Sequence, residues 1–329
     1  MAAYGDLTKY ILGITAEIWE GRDLASLRRH YAPDVLMRFP SGLLRGNQTV
    51  IDGTLATLAE FPDRQLLGDD VIWSGSEEDG YLSSHRVVTY GTHTGHGEFG
   101  PPTGRRFEIR VIADCHAKGE VIDDEWLVRD LGGIARQLGF DPAEHARWRI
   151  AREGGPDRCH RPFDPRDDVT GPYTGRGNDD EWGARLAGIL SRIMDGDIAT
   201  IRRDYDRAAR IHHWGSASGW SWDFAETGWM RLRSSFPSAR FEPHHVIGRA
   251  DPDRPPRAAV RWSLTGGHDG TGAFGEPSGA EVHVMGITHA EWGPHGLRRE
   301  YSLIDEVSIW KQIHLHTGLH EAPKTEAIA

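Results

Sequence analysis

The phrase "GTHTGHGEFGPPTG" at 91–104 returns 175 residues later as "GGHDGTGAFGEPSG" at 266–279. Eight of the fourteen positions are identical, from Gly91/Gly266 and His93/His268 through Phe99/Phe274 to Gly104/Gly279. Self-similarity at a fixed offset constrains architecture more than any local propensity. Three further blocks recur in the same order: "LASLRRHY" (24–31) with "IATIRRDY" (198–205), "FPDRQL" (61–66) with "FPSARF" (236–241), and "EWLVRD" (125–130) with "EYSLID" (300–305). Convergence in four ordered blocks is implausible. The chain therefore reads as two homologous domains, 1–140 and 178–320, with a linker at 141–177 and a tail at 321–329.

Each copy carries helical spacing first and strand spacing afterwards. Leu7, Ile11, Ile14 and Ile18 recur at three and four residues, which predicts a helix over 7–20 that Asp6 can cap. Further helices are expected over 23–31 and 47–60, the last stopped at Pro62. Strands follow in "VLMRF", "QLLGDDVIWSG", "YLSSHRVVTYGTH", "RRFEIRVIADCHA" and "VIDDEWLVRDL". In the second copy, helices are expected near 180–194, 197–205 and 223–235, and strands near 208–213, 240–249, 257–265, 280–291 and 297–311. This order predicts an α+β fold, with three helices packed on a curved antiparallel sheet. Such a cone encloses a natural small-molecule pocket. In the linker, Asp141-Pro142 opens a helix, and the Gly/Pro/Asp/Arg-rich remainder reads as a tether over the surface.

Composition excludes several classes. A net charge of −11 disfavours a nucleic-acid partner, because phosphate binding needs a basic patch. The two cysteines, Cys115 and Cys159, lie in dissimilar surroundings, which suits a reduced, cytoplasmic protein. No apolar run reaches the roughly 20 residues that span a bilayer, and the N-terminus has no signal-peptide pattern. The histidines of "HLHTGLH" (314–320) lack a fixing scaffold, so no metal is expected.

Residues 93–139 carry Gly100-Pro101-Pro102-Thr103-Gly104, Ala113 to His116, Lys118-Gly119, Trp126 to Asp130 and Gln137-Leu138-Gly139. This series resembles the SnoaL-like polyketide cyclase group of the nuclear-transport-factor-two-like superfamily. The resemblance covers nearly all of the first domain and, more faintly, the second. It implies an aspartate acid/base aided by a histidine fourteen residues earlier, which fall on Asp130 and His116. It also implies work on polyketide-like carbonyl compounds without metal or redox cofactor. The segment 38–46, with Phe39, corresponds to the stretch that crosses the pocket mouth in the family. The second copy departs from the pattern, with His289 where Asp114 stands and Glu291 where His116 stands.

The residues support such chemistry on their own terms. Trp126, Val128 and Asp130 share one strand face, and Tyr301, Leu303 and Asp305 share the matching face. A carboxylate among apolar neighbours has a raised pKa, which suits a general base. Arg110, Ile112, Asp114 and His116 share a face of the neighbouring strand, so an inward face would bring His116 toward Asp130. The competing reading of Asp130 is a buried carboxylate satisfied by backbone or arginine. Trp214, Trp220 and Trp222 offer an aromatic wall or cage, or else packing between domains. Catalytic candidates are thus Asp130, His116 and Asp305. Substrate-binding candidates are Trp126, Arg110, Phe39, Trp214, Trp220, His289 and Tyr301. The expected function is acid/base catalysis of the cyclase, isomerase, hydratase or lyase type on a carbonyl compound. The alternative is a binding protein with aromatic-lined pockets. The expected assembly is an internal pseudo-dimer, with room for a further homodimer.

Overall fold

A computed structural model describes residues 6–173 and 175–319; His320 and the tail lie outside them. The first half opens with α1 (Leu7–Trp19), α2 (Leu27–His30), β1 (Tyr31–Phe39), β2 (Gly42–Arg45) and α3 (Asn47–Glu60). It continues with β3 (Gln65–Ser76), β4 (Gly80–Thr92), β5 (Arg106–Lys118) and β6 (Val121–Arg129), then α4 (Leu131–Leu138). Helix α5 (Pro142–Arg152) begins the connection. The second half repeats the order with α6 (Glu181–Met194), α7 (Ala199–Asp204), β7 (Tyr205–His212), β8 (Ser218–Trp220) and α8 (Trp222–Ser235). It ends with β9 (Arg240–Arg249), β10 (Arg257–Gly267), β11 (Glu281–Gly293), β12 (Gly296–Ile304) and α9 (Glu306–Thr317).

Local chemistry sets these boundaries. Asp6 caps α1 by accepting the Lys9 N–H at 2.8 Å, and Leu7, Ile11, Ile14 and Ile18 form its buried face. The two sheets have the same strand order, β2-β1-β6-β5-β4-β3 and β8-β7-β12-β11-β10-β9. One pairing in each departs from an antiparallel meander: β1 runs parallel to β6, and β7 parallel to β12.

The expected strand over 297–311 ends at Ile304, where Asp305 caps α9 instead. Asp130 does the same for α4, accepting the Gly133 N–H at 2.9 Å. An aspartate at a strand end continues an alternating pattern and starts a helix equally well, and here the cap prevails.

The glycine-rich phrase builds the same small hairpin twice, with bridges Gly97–Gly100 and Gly272–Gly275. Gly95 lies so close to α3 that a Cβ there would meet the Ala59 carbonyl oxygen at 1.9 Å. His93 and His268 are wholly buried within these hairpins, on the hydroxyls of Thr103 and Ser278.

The halves meet through the outer faces of their sheets. Ile112 and Val128 pack with Met285, Ile287 and Leu303, and Phe163 of the connection is wedged among them. Each such buried side chain contributes about 1.5–3 kcal/mol. Polar pairs fix the register: Asp114 meets His245 at 2.8 Å and Arg261 at 3.1 Å. The connection is more than a surface tether, since the Phe163 N–H donates to the Pro40 carbonyl and Cys159 is buried.

Candidate active site

The cone of the first half holds two small cavities, of about 150 and 90 Å³. Both are lined by Met37, Val50, Thr54, Leu127 and Arg129, so they are neighbouring chambers of one interior. Strand β6 supplies their chemistry through Glu125, Leu127 and Arg129. Alternation then puts Trp126, Val128 and Asp130 on the opposite, outer face.

That phase relocates most of the candidates. Asp130 is buried, but it faces the other half, where its carboxylate accepts the Gly215 and Ser216 N–H groups at 2.8 and 2.7 Å. Burial and the neighbouring Glu306 raise its pKa to about 6, against these backbone donors. It is a clamp between halves. His116 pairs across the strands with Asp124, six residues from Asp130, or about 20 Å. The His116 ring instead meets Asp123 at 2.5 Å. The two residues therefore do not form an acid/base pair.

Tyr301 lies in the seam, under the Arg86 guanidinium at 3.5 Å and stacked on His212. Arg110 reaches the same ring at 5.3 Å. His289 is buried between Ser84 and Arg86 of the first half. Trp214 packs against His213 and Trp229 in the second core. Trp220 is 61% exposed, with Arg210 over its ring. The tryptophans build no cage. Trp126 lines a groove of about 1010 Å³ between the connection and the second sheet. Several of the charges there are paired, as in Arg261–Asp114, Arg166–Asp164 and Arg240–Glu242. Burial holds the groove's His244 and His283 near a pKa of about 4.

Two candidates do reach the cone. Phe39 lines its outer chamber, under Arg129 at 5.3 Å. Asp305 lines the same chamber although it belongs to the second half. It occupies the position that matches Asp130, but the hairpin tip opposite differs. Residues 213–217 join His212 to Ser218, whereas only Pro40 and Ser41 join Phe39 to Gly42. Pro40 has no N–H to donate. Asp305 accepts from Val307 N and Ser308 Oγ of its own helix, and burial raises its pKa to about 6.

The carboxylate at the centre of the cone is Glu125. The Tyr31 hydroxyl donates to it at 3.0 Å, and His85 lines the same chamber. Burial lifts its pKa to about 7, and the Tyr31 bond and the charge of Arg129 only partly offset this. The matching Glu300 accepts from Tyr205 at 2.6 Å, His213 at 2.9 Å and Ser302 at 2.6 Å. There His213 and the other donors outweigh burial and bring the pKa below the ordinary value. In the first half Phe39 and Leu127 stand where His213 and Ser302 do, and neither can donate. The second cone carries larger side chains in its interior. Wholly buried Trp229 and Trp262, with ring centroids 6.0 Å apart, stand where the first half has Thr54 and Val87.

Sequence reasoning passed over Glu125, Tyr31, Arg129 and Arg64. Yet Tyr31/Tyr205 and Glu125/Glu300 both sit inside the recurring blocks.

Residues 9–138 match the family model described as SnoaL-like polyketide cyclase. No curated protein sequence matches the chain. Among solved structures, IdmH from Streptomyces antibioticus is similar at 28% identity, over 40% of this chain and 97% of its own, with a TM-score of 0.35. TsrD from Streptomyces laurentii is similar at 22% identity, over 40% of this chain and 94% of its own, with a TM-score of 0.35. A SnoaL-like polyketide cyclase from Agrobacterium tumefaciens is similar at 19% identity, over 40% of this chain and 98% of its own, with a TM-score of 0.33.

Proposed function

We propose, from the match of residues 9–138 to the SnoaL-like polyketide cyclase model, that the cone of the first half is an enzyme active site and that Glu125 is its acid/base. The substrate is a compact carbonyl compound with an acidic C–H beside the carbonyl. The carboxylate of Glu125 takes that proton, and the C–H electron pair becomes the C=C bond of an enolate whose charge rests on oxygen. The positive field of Arg64 and Arg129 favours that charge in a water-poor chamber. Return of the proton to another atom gives isomerisation, and attack of the enolate carbon on a second carbonyl gives cyclisation.

The observation that carries this reading is the contrast between Glu125 and Glu300. The same backbone position holds a triply satisfied carboxylate behind packed tryptophans in one half. In the other it holds a carboxylate bonded by Tyr31 and the weak thiol donor Cys115, which lines a cavity and has its pKa raised by burial to about 7. A base poised near working pH is the requirement for efficient proton transfer.

The test is hydrogen–deuterium exchange in D₂O, followed by proton NMR at the methyl beside the carbonyl of acetophenone and 4-acetylbenzoate. Wild-type protein is expected to accelerate loss of the signal for at least one of them. Glu125→Gln should reduce the acceleration by about a hundredfold or more while the fold is kept. Absence of protein-dependent exchange with either probe, or full exchange by the variant, would overturn the reading.

A further inference from the structure

The inner chamber of about 90 Å³ is lined by two arginines, Arg64 and Arg129. Arg64 is buried, and its Nε donates to the Thr89 hydroxyl at 3.1 Å. The rings of Trp19, Phe61 and Phe107 surround its guanidinium at 5.5, 6.0 and 5.6 Å. Among the described residues, neither Arg64 nor Arg129 has a carboxylate within 4.0 Å. The acids nearby are committed elsewhere: Glu98 to Arg149 at 2.5 Å, Glu125 to Tyr31, and Asp305 to its helix cap. Burial, and then the like charge of Arg129, depresses the pKa of Arg64 to about 9.

A buried cation with no carboxylate in contact is costly even where Glu98, Glu125 and Asp305 act on Arg129, and Glu98 on Arg64, from further away, and two such cations facing one chamber are more so. The fold does not demand them. The matching positions in the second half are Ala239 and Ile304, neither of them a cation, and the nearby Arg233 is held by the Phe236 and Ala239 carbonyls. The arginines are thus confined to the half that keeps its cavity. A transient enolate needs one positive partner, whereas this chamber presents two.

From this juxtaposition we infer that the first cone takes an anionic ligand: a compact carboxylate whose negative charge is the counter-ion of Arg64 and Arg129. The inference rests on the reading of this cone as the substrate site and narrows its substrate to carboxylate-bearing carbonyl compounds. The chamber volumes, well below the ~300 Å³ usual for drug-sized ligands, limit it to about one ring or a short chain. Arginine suits the task because its planar fork matches a carboxylate and stays charged when buried.

The experiment is isothermal titration of the full chain with benzoate and with benzamide, its uncharged counterpart of nearly equal shape. Benzoate is expected to bind about tenfold tighter or more. Arg129→Gln and Arg64→Gln should each weaken benzoate about tenfold and leave benzamide unchanged, with circular dichroism confirming the fold. Arg129→Lys and Arg64→Lys keep the charge and should retain part of the preference. Equal affinity for the two probes, no binding of benzoate at millimolar concentration, or benzoate affinity untouched by both glutamine variants would overturn the inference. Glu125→Gln separates the two readings. Benzoate binding that survives this change while exchange is lost supports both. Arginine-dependent benzoate binding without any exchange sinks only the acid/base role. Glu125-dependent exchange without benzoate preference sinks only the anion.

Discussion

Glu125 and Glu300 show how far one position can be tuned by its neighbours. Their backbone setting is the same, and the difference lies in the side chains around them: His213 and Ser302 donate to Glu300, whereas Glu125 has only the weaker Cys115 thiol beside Tyr31. A carboxyl whose folded pKa lies above its ordinary value keeps its proton over a range in which the unfolded chain has lost it. The contribution of such a carboxyl to stability therefore falls as pH rises from about 4 through about 7, while histidines kept neutral by burial, such as His244 and His283, contribute with the opposite sign. Asp130 and Asp305, each raised to about 6, contribute over the lower part of that window. Glu125→Gln should remove the upper part. Its melting temperature should exceed that of the wild type at about pH 8 and match it at about pH 5. Calorimetry at both pH values checks this, and an equal difference at the two would contradict a raised Glu125. The sequence hid this residue for a physical reason. Leu127 faces the cone while Trp126 and Val128 face the other half, so both faces of β6 are covered and no polar–apolar alternation reveals which is inside.

At the scale of elements, the second cone is closed by a complementary pair. Trp262 crosses from β10 over Gly286 of β11, and a Cβ at 286 would meet its ring at 2.2 Å. The matching pair in the first half is Val87 and Val111. Gly286→Val should cost about 3 kcal/mol by overpacking. Trp262→Val should cost about 3–5 kcal/mol through the cavity it leaves. The double variant should cost clearly less than the two together, because each change makes room for the other. Urea unfolding of the four proteins checks this, and strict additivity would count against a paired fit. Helices α1, α6 and α8 carry one apolar stripe that faces the sheet, and α3 was legible from the stop at Pro62. Helices α4 and α9 were not. Both follow directly on a strand, and their capping aspartates Asp130 and Asp305 also complete the strand pattern, which hides where each helix begins.

At the scale of the molecule, Asp130 acts as a fastening. Asp130→Asn leaves at least one of the three backbone N–H groups without a good acceptor, which should cost about 1–3 kcal/mol. The same change should leave deuterium exchange in 4-acetylbenzoate nearly intact, in contrast to Glu125→Gln. Loss of exchange at unchanged stability would return Asp130 to the chemistry. The repeated blocks suggested a two-part plan, and the same strand order in both sheets agrees with it. What they could not convey is which half stays open, since that depends on single substitutions such as Val87 against Trp262 and Arg129 against Ile304.

Asp305 reaches from the filled half into the open one. Two identical chains bound about a twofold axis would carry every change in duplicate, so a tryptophan that plugs one cone would plug both. Joined in one chain, the halves escape that rule. One is free to give up its own interior and become the fixed wall of its neighbour's.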